Sequence, residues 1–224
     1  MRNPLILFAL LLMTMQGAVS AGEKSVPSGS APAAPAAREP DIVQSIEDHY
    51  RNLVDLTAKV VQKNYLKSVG KTQIFEGILS IKRPGKLRLE YTNGQVIVID
   101  GKEAWFYSRK NEQAIRRTFQ DFEQANIPVA FLLGAGEIRK EFNVVPGAAG
   151  ASGVLDLAPH RKSGAVMKKV RLVADATGRI TEMTVYDRSG NNSKVLFSDV
   201  QEGVGLDDGI FQFKAPKGTE IIEQ

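Results

Sequence analysis

FEGILSIKRPGKLRLEYTNGQVIVIDGKEAWFY, residues 75 to 107, decides the fold. Three glycine turns, Pro84-Gly85, Asn93-Gly94 and Asp100-Gly101, divide it into four short strands that alternate apolar and polar residues. Alternation at period two marks strands with one buried face. Asn-Gly and Asp-Gly are the strongest hairpin signals a short stretch can carry. A two-residue loop at Asn93-Gly94 would set Thr92 opposite Gln95, Tyr91 opposite Val96 and Leu89 opposite Val98, and paired residues share a sheet face. The next loop is either Asp100-Gly101 or Gly101-Lys102. Both choices put Trp105 and Tyr107 on the face of Val96 and Val98. At Pro84, a two-residue loop would turn Ser80 and Lys82 onto that apolar face, whereas a three-residue loop, Pro84 to Lys86, puts Phe75, Gly77, Leu79 and Ile81 there. Register follows the apolar set, because a slip of one residue turns every side chain over, so the three-residue loop is expected. It sets Arg83 at the rim of the apolar face beside Leu87. A guanidinium there needs a partner: either something that covers the face or a rim carboxylate.

Outward from this stretch the alternation continues. Strands are expected at 57–66, 73–82, 86–92, 95–100, 103–108, 113–119, 154–158, 167–174, 179–186 and 193–200, with an extended tail. Asp175-Ala-Thr-Gly178 and Asp187-Arg-Ser-Gly190 read as type I turns closed by a left-handed glycine. The further oxygen ligands of a calcium loop are missing from both. Asp41 is placed to cap a helix whose Ile42, Ile46, Tyr50 and Leu53 form one stripe. Pro128 opens a short helix with Val129, Ala130, Phe131, Leu132 and Leu133. Five apolar residues in six suit either a core helix or a lid that touches both sheet and ligand, and the pattern alone favours the former. A further short helix is possible around 137–141. The fold class read from the pattern is therefore mainly β (α+β): about 10–11 antiparallel strands in one large sheet, which tends to curl. If it is curved and unclosed, as a half-barrel, its apolar concave face needs a cover, for which the two helices are the candidates.

Residues 1–21 have the form of a cleaved secretory signal: a single charge at Arg2, an apolar run from Pro4 to Met13 too short to span a bilayer, and the small residues Ala18 to Ala21. Residues 22–40, rich in Gly, Ser, Ala and Pro, read as a flexible tether, leaving 41–224 as a single domain. The formal net charge is +4 and becomes +3 without Arg2. The basic pairs are scattered, as on solvated strand faces, and nucleic acid is not an expected partner. With no cysteine there is neither a disulfide framework nor a thiolate metal site. His49 and His160, the only histidines, have no metal-ligand spacing, nucleophile elbow or phosphate loop beside them. Asp207-Asp208 reads as a turn. No catalytic residue, cofactor or metal is expected.

Several of these segments together resemble the periplasmic outer-membrane lipoprotein carrier (LolA) family: Gly77 to Tyr91, Asp100 to Tyr107, Pro128 to Leu133, Asp187 to Gly190 and Phe211-Gln-Phe-Lys-Ala-Pro216, in matching order over nearly all of 41–224. The resemblance implies an incomplete barrel with a helical lid and a cavity for acyl chains. It implies acylated lipoproteins as cargo, an inner-membrane ABC exporter as donor, an outer-membrane lipoprotein receptor as acceptor, and a monomer in the periplasm. The family's lid-latching arginine aligns with Arg83. The hairpin's cavity positions align with Leu87 and Leu89, where many members carry aromatics. Alternatives are a related carrier of a glycolipid or free lipid, or an envelope sensor of lipid or lipoprotein. From the parity argument, the expected ligand-side residues are Leu79, Ile81, Leu87, Leu89, Tyr91, Val96, Val98 and Trp105, with Phe131 and Leu132 from the lid.

Overall fold

The structure is a computed structural model and describes residues 41–121, 133, 137–146, 153–160 and 167–223. A helix, α1 (Ile42–Asn52), leads into six strands: β1 (Asp55–Leu66), β2 (Lys71–Lys82), β3 (Lys86–Tyr91), β4 (Gln95–Asp100), β5 (Glu103–Ser108) and β6 (Gln113–Thr118). A one-turn helix, α2 (Ile138–Glu141), precedes β7 (Phe142–Pro146), β8 (Val154–Pro159), β9 (Met167–Ala174), β10 (Ile180–Asp187) and β11 (Asn192–Glu202). After a 3-10 turn at Asp208–Phe211 the chain ends in β12 (Glu220–Glu223).

All twelve strands form one sheet in the order β12-β6-β5-β4-β3-β2-β1-β11-β10-β9-β8-β7. The order is linear, so the sheet does not close into a barrel. The pairings are antiparallel except that β12 runs parallel to β6. The two strands beyond the expected ten are the edges, β7 and β12. The Pro128–Leu133 helix falls outside the described residues except for Leu133, which is buried in the core.

Asp41 caps α1 by accepting from Val43 N at 3.1 Å. The helix buries Val43, Ile46 and Tyr50, with Leu53 just beyond its end. Tyr50 and the β2 residues Leu79 and Ile81 line one small space. Tyr50 Oη accepts from Ile180 N of β10 at 3.2 Å, and Glu47 accepts from Ile138 N, beside the edge strand β7, at 2.8 Å. From β2 to β7 is six strand positions, about 29 Å on a flat sheet. One helix of 11 residues reaches both regions because the sheet curls around it. Register shifts in β1–β11 and in β9–β10 add local twist.

The opposite, convex face carries a strap. Beyond β11 the chain crosses β1, β2, β3, β4 and β5 before joining β6. The buried Asp55 carboxylate on β1 accepts from Val204 N at 2.7 Å and Leu206 N at 2.8 Å. Lys82 on β2 donates to Leu206 O at 2.8 Å, and Lys82 and Lys86 hold Asp208 at 2.8 and 3.0 Å. Arg88 on β3 donates to Ile210 O at 3.0 Å. Phe211 and Val98 are 1% and 0% exposed, yet neither belongs to the main core cluster. The Phe213 ring sits 5.1 Å from Trp105 and 5.7 Å from Tyr107. Asp207 and Asp208 are turn residues, as expected.

The structure corrects the β3–β4 register. Leu89 pairs with Ile97 and Leu87 with Ile99, not with Val98. The Asn93-Gly94 loop has three residues, Thr92 to Gly94. Gly94 adopts φ +84° and donates to Tyr91 O at 3.0 Å, and Asn93 Oδ1 accepts from Gln95 N at 3.0 Å. A type I turn followed by a left-handed residue is the favoured three-residue hairpin. The extra residue turns β4 over, so Val96, Val98 and Trp105 lie on the convex face. The β4–β5 pairing sets Val98 opposite Trp105 and Val96 opposite Tyr107, which is the Gly101-Lys102 choice and keeps the four on one face as expected. The β2–β3 loop is Arg83 to Gly85, with Lys82 opposite Lys86 and Ile81 opposite Leu87. The pairing is displaced by two positions from the expectation and keeps the same faces. Arg83 stands at the hairpin tip, not across from Leu87.

Candidate ligand cavity

The concave wall is built by cross-strand pairs of the alternating apolar set. Leu79 faces Leu89 and Ile81 faces Leu87. Leu89 and Leu87 then continue into Ile97 and Ile99, and those into Phe106 and Ala104. Leu79, Ile81 and Leu87 are buried, and Leu89 and Tyr91 are half-buried against the same cluster. Five of the expected residues thus share this wall, while Val96, Val98 and Trp105 do not. Phe131 and Leu132 lie outside the described residues. The wall residues that the expected register missed are Ile97, Ile99 and Phe106. They were hidden because Val96 to Ile99 is an unbroken apolar run.

At the Arg83 end, α1 closes down on the wall. Tyr50, Leu56, Ala58, Leu79, Ile81 and Phe197 surround a space of about 10 Å³, room for about one water. This part of the face is packed shut. Arg83 borders it. Its backbone N donates to Val54 O at 2.9 Å, and the hairpin glycine, Gly85, donates to Leu133 O at 3.0 Å. The hairpin tip therefore holds the Leu133 carbonyl through its backbone. Arg83 Nη1 is enclosed and has no hydrogen-bond partner among the described residues. Burial, and then the like charge of Arg51, pull the guanidinium below its ordinary pKa. A desolvated cation with a spare donor is a strained arrangement that a carbonyl or carboxylate relieves.

The other end of the concave face is polar. On β1 the positions in phase with Leu56, Ala58 and Val60 are Gln62 and Asn64, at 7% and 5% exposure, and β11 adds Ser193 at 3%. Gln62 Nε2 donates to Asn64 Oδ1 at 2.9 Å and to Ser193 Oγ at 3.0 Å. Ser193 Oγ donates to Asn64 Oδ1 at 2.7 Å, and Tyr91 Oη donates to Gln62 Oε1. Tyr91 reaches β1 across Gly77, which stands between Val60 and Tyr91 and has no side chain. Burial pushes the Tyr91 phenol above its ordinary pKa, so it stays a donor. These polar residues were legible in principle from the strand phase of β1.

His49 Nε2 lies 3.0 Å from Glu202 Oε1, and His160 Nε2 lies 3.2 Å from Arg139 O, so the histidines have separate neighbours. Among the described residues no group of His, Asp and Glu could hold a metal.

Comparison with known proteins gives a consistent result. The sequence model of the family described as "Outer membrane lipoprotein carrier protein LolA" matches residues 51–214. An outer-membrane lipoprotein carrier protein of Chromobacterium violaceum is 32% identical over 157 residues, 68% of this chain and 74% of its own length. One of Nitrosomonas europaea is 30% identical over 151 residues, 65% of this chain and 71% of its own. Among solved structures, an uncharacterized conserved protein of Thermus thermophilus shares the fold, with a TM-score of 0.50 at 12% identity. That match covers 82% of this chain and 98% of that one.

Proposed function

This chain belongs to the LolA family of outer membrane lipoprotein carrier proteins, and from that premise we propose that it is a periplasmic carrier of acylated lipoproteins. It takes them from an inner-membrane ABC exporter and hands them, as a monomer, to an outer-membrane lipoprotein receptor. The observation that carries this reading is the unclosed sheet whose apolar wall is packed shut beneath α1, with about 10 Å³ left at the Tyr50 contact. Covering one acyl chain of about 16 carbons is worth on the order of 12 kcal/mol, so such a chain crosses water only when covered. Accommodating it requires α1 to lift. The work of opening lowers the net affinity and keeps transfer reversible without an energy source. Arg83 is the latch: its enclosed guanidinium, with Nη1 unpartnered among the described residues, holds the cover over the empty wall and gives way when cargo enters. Leu79, Ile81, Leu87, Leu89 and Tyr91, with Ile97, Ile99 and Phe106, are the acyl-chain wall.

The test is mass spectrometry of what co-purifies with the mature protein from the envelope of its own cells. Triacylated lipoproteins are the expected result. A free lipid or glycolipid without any lipoprotein would overturn the cargo assignment and make the protein a lipid carrier on the same fold.

A further inference from the structure

The polar end of the concave face leaves two groups unused. Every hydrogen-bonding atom of Gln62 is engaged: Oε1 by Tyr91, Nε2 by Asn64 and Ser193. Asn64 Oδ1 accepts twice, from Gln62 and from Ser193. That directed chain fixes the Asn64 amide with its oxygen toward Gln62 and Ser193, and Nδ2 makes no hydrogen bond to any described residue. Directly across the β1–β2 ladder from Asn64 stands Gln73. Its Oε1 is enclosed and has no hydrogen-bond partner among the described residues. The enclosed Gln73 Oε1 carries a desolvation penalty that a bound donor removes, and the Asn64 amide nitrogen across the ladder is left to donate.

Resting on the carrier reading, we propose that Asn64 and Gln73 bind the secondary amide through which an acyl chain joins its lipoprotein, Asn64 Nδ2 donating to the amide carbonyl and Gln73 Oε1 accepting from the amide N–H. A secondary amide offers one donor and one acceptor on opposite sides, which is what the pair lacks. An ester offers acceptors only and leaves Gln73 unsatisfied. The distance fits as well. The step of six residues along β2 from Gln73 to Leu79 spans about 20 Å at about 3.3 Å per residue. An acyl chain of one bilayer leaflet is about 15 Å long. A chain anchored by its amide at Gln73 thus runs along Phe75 and Gly77 and ends against Leu79, beneath α1. The face has a polar head and an apolar foot, and cargo enters in one orientation.

Three probes test this, each compared between the native protein and its variants: a tripalmitoylated cysteinyl peptide with its N-terminal amide, 1-decylpyrene, which has no polar group, and a galactosyl dipalmitoylglycerol. Asn64→Leu and Gln73→Leu are each expected to weaken the peptide about fivefold to tenfold, the loss of one buried hydrogen bond, and to leave decylpyrene within twofold. Unchanged peptide affinity in both variants overturns the proposal. An equal loss for the galactolipid overturns the assignment to an amide. In the unsubstituted protein, which needs no variant to fold, the Asn64 side-chain amide resonances shift with the peptide and stay in place with decylpyrene. The absence of that difference overturns the proposal independently. Failure of the unsubstituted protein to bind the peptide at all would remove the carrier reading itself, an outcome distinct from selective insensitivity to the two substitutions.

Discussion

At the scale of single residues, the structure turns on positions where a side chain would be in the way or has no partner. Gly77 is the first kind. A methyl group there would come within 2.3 Å of Glu90 O on β3, a backbone atom that cannot rotate away. Gly77→Ala is expected to cost about 1–3 kcal/mol and to push β3 from β2, which a urea unfolding titration reads directly. Arg83 is the second kind. If its guanidinium latches the closed face, Arg83→Leu loads cargo normally and releases it poorly. A reconstituted handover assay, with loading and release measured separately, distinguishes this from a rim ion pair, whose loss leaves release unchanged. The wall residues Leu79, Ile81, Leu87, Leu89 and Tyr91 were legible because β2 and β3 alternate cleanly around the tip glycine. Val96, Val98 and Trp105 were not. Four apolar residues in succession on β4 mean that both faces of that strand are covered, and alternation then has no phase to report.

Among the elements, the strap is the one that sequence patterning could not supply. Residues 203–219 have neither strand nor helix periodicity, and their structure comes from what lies beneath them. Asp55 sets the path. Its carboxylate, with 1% of the residue exposed, receives two backbone N–H groups of the strap at 2.7 and 2.8 Å. Asp55→Ala strands both donors and is expected to destabilise the protein by about 3 kcal/mol, seen as a lower thermal midpoint and as proteolysis near Val204. By contrast, the cap of α1 and the glycine turns at Gly178 and Gly190 were legible. Their caps and left-handed positions, at φ +85° and +89°, are local requirements that only a few residue types meet.

For the molecule as a whole, the strap divides the sheet into unequal halves. Strands β1 to β5 lie between a core on one side and the strap on the other, whereas the described strap does not reach β8 to β10. Those strands depend more on their turns, and the β9–β10 turn has a pH signature. Burial would raise Asp175, but hydrogen bonds from the Thr177 hydroxyl and backbone and from Arg179 outweigh it and hold the carboxyl down to about 2. A depressed carboxylate contributes stability that is present above its unfolded pKa of about 4 and disappears as pH falls toward 2. The stability difference between the native protein and Asp175→Asn is therefore expected to be constant from pH 7 to 5 and to vanish between about pH 4 and 2, as followed by chemical denaturation at each pH.

The single tryptophan of the chain has a consequence for anyone watching this molecule by light. Trp105 is stacked against Phe213 at 5.1 Å, on the side of the sheet away from the acyl wall. Its emission is a gauge of the tail, not of the cargo. Phe213→Ala is expected to move the emission maximum to the red, while titration with an acylated peptide leaves it where it was. A flat fluorescence titration would then record that the two faces are optically separate compartments, and a dye placed on the inner face would be needed to see the cargo arrive.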